Sequence, residues 1–68
     1  MKKIKITTEY ITLSELLKYA AFVNTGGEAK CVIKQGLVLV NGDICEMRGK
    51  KLRKGDTVQF NQNICTIL

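Results

Sequence analysis

The side chains of this chain that could do chemistry are eleven Lys and Arg, six Asp and Glu, three Cys and a few hydroxyls, with no histidine at all. Without imidazole there is no base that titrates near neutrality, and the commonest zinc ligand is missing. Cys31, Cys45 and Cys65 are odd in number and none forms a C-x-x-C pair, so neither a disulfide framework nor a zinc knuckle is expected. Each is expected to pack as a small buried hydrophobe. Ser14, the acids and the thiols have no partner that would complete a nucleophile–base pair. The expectation is therefore a chain without catalytic residues, bound metal or cofactor.

What remains is charge, and it is unevenly placed. The net charge is +5. Residues 1–29 carry four Lys against three Glu, and residues 55–68 carry only Asp56. Between them, Lys30, Lys34, Arg48, Lys50, Lys51, Arg53 and Lys54 face only Asp43 and Glu46, a local surplus of five. Concentrated positive charge of this kind implies a polyanionic partner.

The elements that must hold these cations can be read from periodicity and punctuation. With 68 residues there is room for one domain, which buries only about 60% of its unfolded surface, too little for a deep cleft with its own cofactor fold. Lys3 to Thr8 alternates, with Ile4 and Ile6 on one side, and predicts a short strand. Thr12 and Glu15 form a T-x-x-E capping box, and Leu13, Leu16, Leu17, Ala20 and Ala21 then make one apolar stripe, predicting a helix at about 13–23. Thr25 and Glu28 repeat the box across Gly26-Gly27. Ala29, Val32 and Ile33 follow, and Gly36 stands where a helix stops. Two helices separated by one or two residues would make a tight corner. Leu37–Val40 reads as a strand, Asn41-Gly42 or Gly42-Asp43 as a hairpin turn, and Ile44–Glu46 as the start of the return strand. Arg48–Lys54 reads as a basic loop whose one apolar residue is Leu52. Strands are expected at Thr57–Phe60 and Ile64–Leu68, joined by Asn61-Gln62-Asn63. The class is α+β, a two-helix corner packed on a small, mainly antiparallel β-sheet. Pairing of the first strand with the last is left open.

The run T-G-G-E-A-K-C-V-I-K-Q-G-L-V-L-V-N-G-D, residues 25–43, resembles the S-four-like RNA-binding domain, a family named after a small-subunit ribosomal protein. The pattern E-A-x-x-x-I-x-x-G-x-V-x-V-N-G fits residues 28–42 throughout, and Leu13, Leu16 and Leu17 match the family's first helix. R-G-K-K-L-R-K-G-D, residues 48–56, resembles its short single-domain bacterial branch, often labelled YaaA-like. The resemblance spans about residues 11–60 of a single domain covering 1–68. It implies the alpha-L RNA-binding motif, with structured RNA of ribosomal or transfer-RNA type docked by the second helix, the corner before it and a basic loop. Carried over by position, it singles out Thr25, Gly26, Gly27, Lys30, Lys34 and Gln35. Many family members carry Arg where this chain has Thr12, and Ser-Arg where it has Thr25-Gly26, so two usual phosphate contacts are missing here. The loop cations Arg48, Lys50, Lys51, Arg53 and Lys54 are expected to supply that charge instead.

Each candidate has a plainer explanation beside it. Lys30 and Lys34, four apart on a helix, would repel mildly, by about 0.2–0.5 kcal/mol, and an anion would relieve this; a solvated helix face is the alternative. Gly26-Gly27 at a helix start lets a phosphate reach open amides, or simply lets two helices pack closely. Five cations in the seven positions 48–54 call for a polyanion, or only for solubility. Asn41 is expected to form a turn first and a polar contact second. Tyr10, Tyr19, Phe22 and Phe60 are scattered, with Phe22 and Phe60 expected in the core. Shape readout of folded RNA through phosphates and 2′-hydroxyls therefore fits better than base stacking. The expected function is a non-enzymatic, monomeric, cytoplasmic RNA-binding module, with the ribosome a candidate partner and the membrane excluded, because no apolar run approaches a span. An assembly module whose basic face meets an acidic protein, and a DNA-binding module, are the competing readings.

Overall fold

A computed structural model of the chain describes residues 2–68. Its elements are β1 (Lys2–Ile4), β2 (Ile11–Thr12), α1 (Leu13–Tyr19), α2 (Gly26–Lys34), β3 (Val38–Val40), β4 (Asp43–Ile44), β5 (Lys51–Leu52), β6 (Thr57–Phe60) and β7 (Asn63–Ile67). Five strands form one sheet in the order β1-β7-β6-β3-β4, and β2 pairs with β5 in a separate two-stranded ribbon. All pairings are antiparallel except β1 with β7, which run parallel. The α+β class and the two-helix corner on a mainly antiparallel sheet are as expected, and the first strand does pair with the last.

Period-two alternation decides which side of the sheet is buried. The cross-strand pairs Val38↔Phe60, Val40↔Val58, Val58↔Cys65 and Ile4↔Ile67 all join buried residues. They form one cluster with Leu13, Leu16, Leu17 and Ala20 from the first helical segment and Ala29 and Ile33 from α2. Their neighbours in sequence, including Leu39, Gln59 and Ile64, are turned to the outer side.

Both helices end in the same way. At the end of α1 the Phe22 amide donates to Leu17 O (2.9 Å) and the Ala21 amide to Lys18 O (3.0 Å); at the end of α2, Leu37 donates to Val32 O and Gly36 to Ile33 O, both at 3.1 Å. These are two Schellman motifs. The left-handed residue of the second is Gly36 (φ 76°), but that of the first is Ala21 (φ 62°). This is why α1 stops at Tyr19 and not at 23, and why the corner takes residues 20–25 in place of one or two. An L-residue in the left-handed region costs roughly 1–2 kcal/mol, partly offset by the greater unfolded-state freedom of glycine. Ala21→Gly is accordingly expected to stabilise the domain by about 0.5–1 kcal/mol, a rise of a few degrees in Tm by circular dichroism. An unchanged or lower Tm would show that Ala21 carries no strain.

The β3–β4 hairpin turns through Asn41 (φ 51°) and Gly42 (φ 88°), two successive left-handed residues as a type I′ turn requires. Asn41 Oδ1 also accepts from the Thr57 amide (2.9 Å), and Asn41 Nδ2 donates to Asp56 Oδ1 (3.2 Å). Its role as a turn former is thus the one observed. Other boundaries shift for identifiable reasons. β1 stops at Ile4 because its partner β7 reaches only Ile67; Ile6 is nevertheless buried. The return strand of the hairpin is Asp43–Ile44 and does not extend through Glu46, and Arg48–Lys54 is not wholly loop, since it contains β5. No helix among the described residues is long and apolar enough to cross a membrane.

Candidate nucleic-acid interface

The basic segment is held by its backbone. Ile11 pairs with Leu52 and Thr12 with Lys51. The first two amides of α1 donate into the same segment, Leu13 N to Lys50 O at 2.9 Å and Ser14 N to Arg48 O at 3.1 Å. Thr12 Oγ1 receives the Glu15 amide at 3.4 Å and gives its own proton to the Glu15 carboxylate at 2.6 Å. The start of α1 is therefore closed, with its orphan donors satisfied inside the protein. Leu52, with no exposed surface, is the one side chain of the segment that turns inward. Arg48, Lys50, Lys51, Arg53 and Lys54 are all exposed, and no carboxylate among the described residues engages them. Asp56, the nearest acid in sequence, is occupied otherwise: its Oδ2 accepts from the Arg53 amide at 2.9 Å and its Oδ1 from Asn41. It shapes the turn and leaves the cationic heads unneutralised.

The start of α2 is open where that of α1 is closed. Thr25 Oγ1 accepts from the Glu28 amide at 3.1 Å, and Glu28 Oε1 accepts from the Asn24 amide at 2.7 Å, one residue before the expected cap position. Gly26 and Gly27 are exposed, and their amides find no acceptor among the described residues. Close packing does not demand these glycines. A Cβ on Gly26 would meet nothing nearer than Lys18 Nζ at 3.8 Å, and one on Gly27 nothing nearer than Thr25 Oγ1 at 3.9 Å. Along α2, helical spacing puts Gly27, Lys30, Cys31 and Lys34 on the side opposite Ala29 and Ile33, and all four are exposed. Gln35 caps the helix at its C-terminal end, where Lys34 also complements the helix dipole.

The two cationic groups are related through α1. The ribbon sits at its N-terminal end, and Lys18 in its last turn reaches the start of α2. A seven-residue helix is about 10 Å long, which is the scale of a few successive phosphates. Lys18 was not legible as a site residue, because its sequence neighbours are neutral; only the corner brings it to Gly26. The aromatics divide between core and surface. Phe60 is buried and Phe22 half-buried, as expected, but Tyr10 and Tyr19, far apart in sequence, line one hollow, and Lys51 Nζ lies 5.1 Å from the Tyr10 ring centroid. The cysteines divide as well. Cys65 is fully buried, which pushes its thiol above the ordinary range, with Lys2 pulling partly the other way. Cys31 is exposed, against the expectation that all three would be buried, because position 31 falls on the outer side of α2.

Comparison with known proteins finds similar chains. A family model described as S4 domain matches residues 4–68. The chain is 45% identical over 57 residues to the "Probable ribosome maturation protein RlbA" of Bacillus subtilis (strain 168), covering 84% of this chain and 80% of that protein. It is also similar to the solution structure of YbcJ from E. coli, described as revealing an alpha-L motif involved in RNA binding. There the TM-score is 0.77 and the identity 26%, over 100% of this chain and 87% of the other.

Proposed function

From the membership of this chain in the S4 domain family, we propose that it is a non-enzymatic module that binds structured RNA through phosphate contacts. The observation that carries the reading is the segment 48–54 around β5: five exposed cations, none engaged by an acid among the described residues, on a backbone held by β2 and the start of α1. The backbone that carries them is pre-positioned, so its ordering does not oppose engagement with a polyanion and only the side chains remain to be ordered. The open start of α2, with Thr25, Gly26, Gly27 and Lys18, supplies a second phosphate contact, and Lys30, Lys34 and Gln35 continue it along the helix. The names of the similar proteins, which refer to ribosome maturation and RNA binding, support ribosomal RNA as the structured RNA concerned. In this reading residues 1–68 act as one monomeric unit in the cytoplasm.

The test is competition among a folded ribosomal RNA fragment, an unstructured RNA and a DNA duplex, followed across salt concentration. Folded RNA is expected to compete best. With about five phosphate contacts, log K should fall against log salt with a slope of about −3 to −5. A flat salt response, or preference for the duplex DNA, would overturn the reading. A second reading, an assembly module, is favoured by one feature: Leu37, Ile44 and Met47 are exposed on and beside the outer side of the sheet. Capture of a protein partner that persists after nuclease treatment would support it.

A further inference from the structure

The hollow between the N-terminal segment and α1 has a volume of about 510 Å³ and is lined in part by Lys5, Glu9, Tyr10, Ile11, Glu15 and Tyr19. That volume is within the range of small-ligand sites. Both tyrosines are exposed, Tyr10 by 39% and Tyr19 by 65%, and both line this one hollow. The hollow adjoins the cationic ribbon directly: Ile11, in its wall, pairs with Leu52, and the Lys51 ammonium lies over the Tyr10 ring.

We infer that this hollow receives one unpaired nucleobase, guanine in preference to uracil, from an RNA whose backbone lies on the adjoining ribbon. The inference rests on the proposed RNA binding and adds a base contact to it. Three features carry it. Aromatic side chains stack on the flat face of any base, and a base freed from its helix is what single-stranded loops and bulges offer. The Lys51 ammonium, 5.1 Å from the Tyr10 ring centroid, puts positive charge at the edge of the hollow, where the phosphate flanking a stacked base would run. The hollow itself carries two carboxylates, Glu9 and Glu15, against one ammonium, Lys5, which disfavours a phosphate inside it. Ionised carboxylates only accept hydrogen bonds. Glu9, with the Glu15 oxygen not taken by the Thr12 hydroxyl, matches the two adjacent N–H donors on the Watson–Crick edge of guanine, whereas uracil offers one N–H flanked by two carbonyl oxygens that the carboxylates oppose. The phosphates and the base are thus sorted by charge, one to the ribbon and the other to the hollow.

The test uses three hairpin RNAs of one stem sequence: fully paired, with a single bulged guanine, and with a single bulged uracil. Their affinities are measured for the intact chain and for Tyr10→Leu, Tyr19→Leu and Tyr10→Phe. The expected result is a preference of about tenfold for the bulged guanine over the paired stem, with uracil between them. Tyr10→Leu and Tyr19→Leu should erase that preference while keeping the affinity for the paired stem, and Tyr10→Phe, which keeps the ring, should restore it. Equal binding of bulged and paired stems by the intact chain, or a preference that survives both leucine variants, would overturn the inference while leaving phosphate binding by the ribbon in place. Uracil equal to guanine would overturn the role given to the carboxylates. No binding of any hairpin would overturn the proposed function itself.

Discussion

Replacing Lys50, Lys51 and Arg53 together by glutamate is expected to lower the affinity for folded RNA by about a hundredfold or more at moderate salt, with the fold intact. Each phosphate contact releases close to one condensed counterion, so removing three of them costs about two orders of magnitude near physiological ionic strength, before any repulsion from the new carboxylates. The fold should survive because this segment is held by its backbone. Leu13 and Ser14 donate to the carbonyls of Lys50 and Arg48, the Arg53 amide donates to Asp56, and none of the three side chains is buried. The substitution also takes the Lys51 ammonium away from the Tyr10 ring, an interaction worth about 0.5–1 kcal/mol at an exposed site. A gel-shift or anisotropy titration beside a thermal melt reads both quantities. Unchanged RNA affinity would place the binding surface elsewhere.

Leu52→Ala should have the largest effect on stability. Leu52 is fully buried, and it is the only side chain tying the cationic segment to the core. Truncating a buried leucine costs about 2–5 kcal/mol, from the reduced transfer energy and the cavity left behind. A domain of this size holds only about 3–10 kcal/mol in total, so the variant is expected to be mostly unfolded, or to melt more than about 10 °C lower. A drop of less than about 5 °C would show that the ribbon is anchored by β2 and the start of α1 alone. The two substitutions test neighbouring positions separately: Lys51 is expected to serve the partner and Leu52 the fold, one residue apart on a strand whose alternate side chains face opposite ways.

Much of this was legible in the residues. The two T-x-x-E boxes marked both helix starts, and Thr12 and Thr25 do cap them. Gly36 and Asn41-Gly42 marked turns that need left-handed backbone, and the alternation in Val38–Val40 and Thr57–Phe60 set the buried side of the sheet. Cys31 aside, where the reading failed the cause was a neighbour distant in sequence. Nothing local distinguishes Lys51-Leu52 from a loop; the pair becomes a strand because Ile11-Thr12 lies beside it. Ala21 is a strong helix former, yet it takes the left-handed position of a Schellman motif whose next residue, Phe22, packs against the core. Lys18 and Tyr10 gained their significance from neighbours 8 and 41 positions away, Gly26 for the first and Lys51 for the second. The cationic residues themselves were fully visible, since exposure is the default state of Lys and Arg; their fixed backbone was not.

Docking of RNA on the ribbon and the open start of α2 is tested most directly by titrating the isotope-labelled chain with a folded ribosomal RNA fragment and following its backbone amide resonances. Shifts concentrated at Thr25–Lys34 and at Arg48–Lys54, with Leu39, Gln59 and Ile64 on the outer side of the sheet unmoved, are the predicted result. Shifts confined to that outer side, or no shifts at RNA concentrations that saturate binding by other measures, would contradict it.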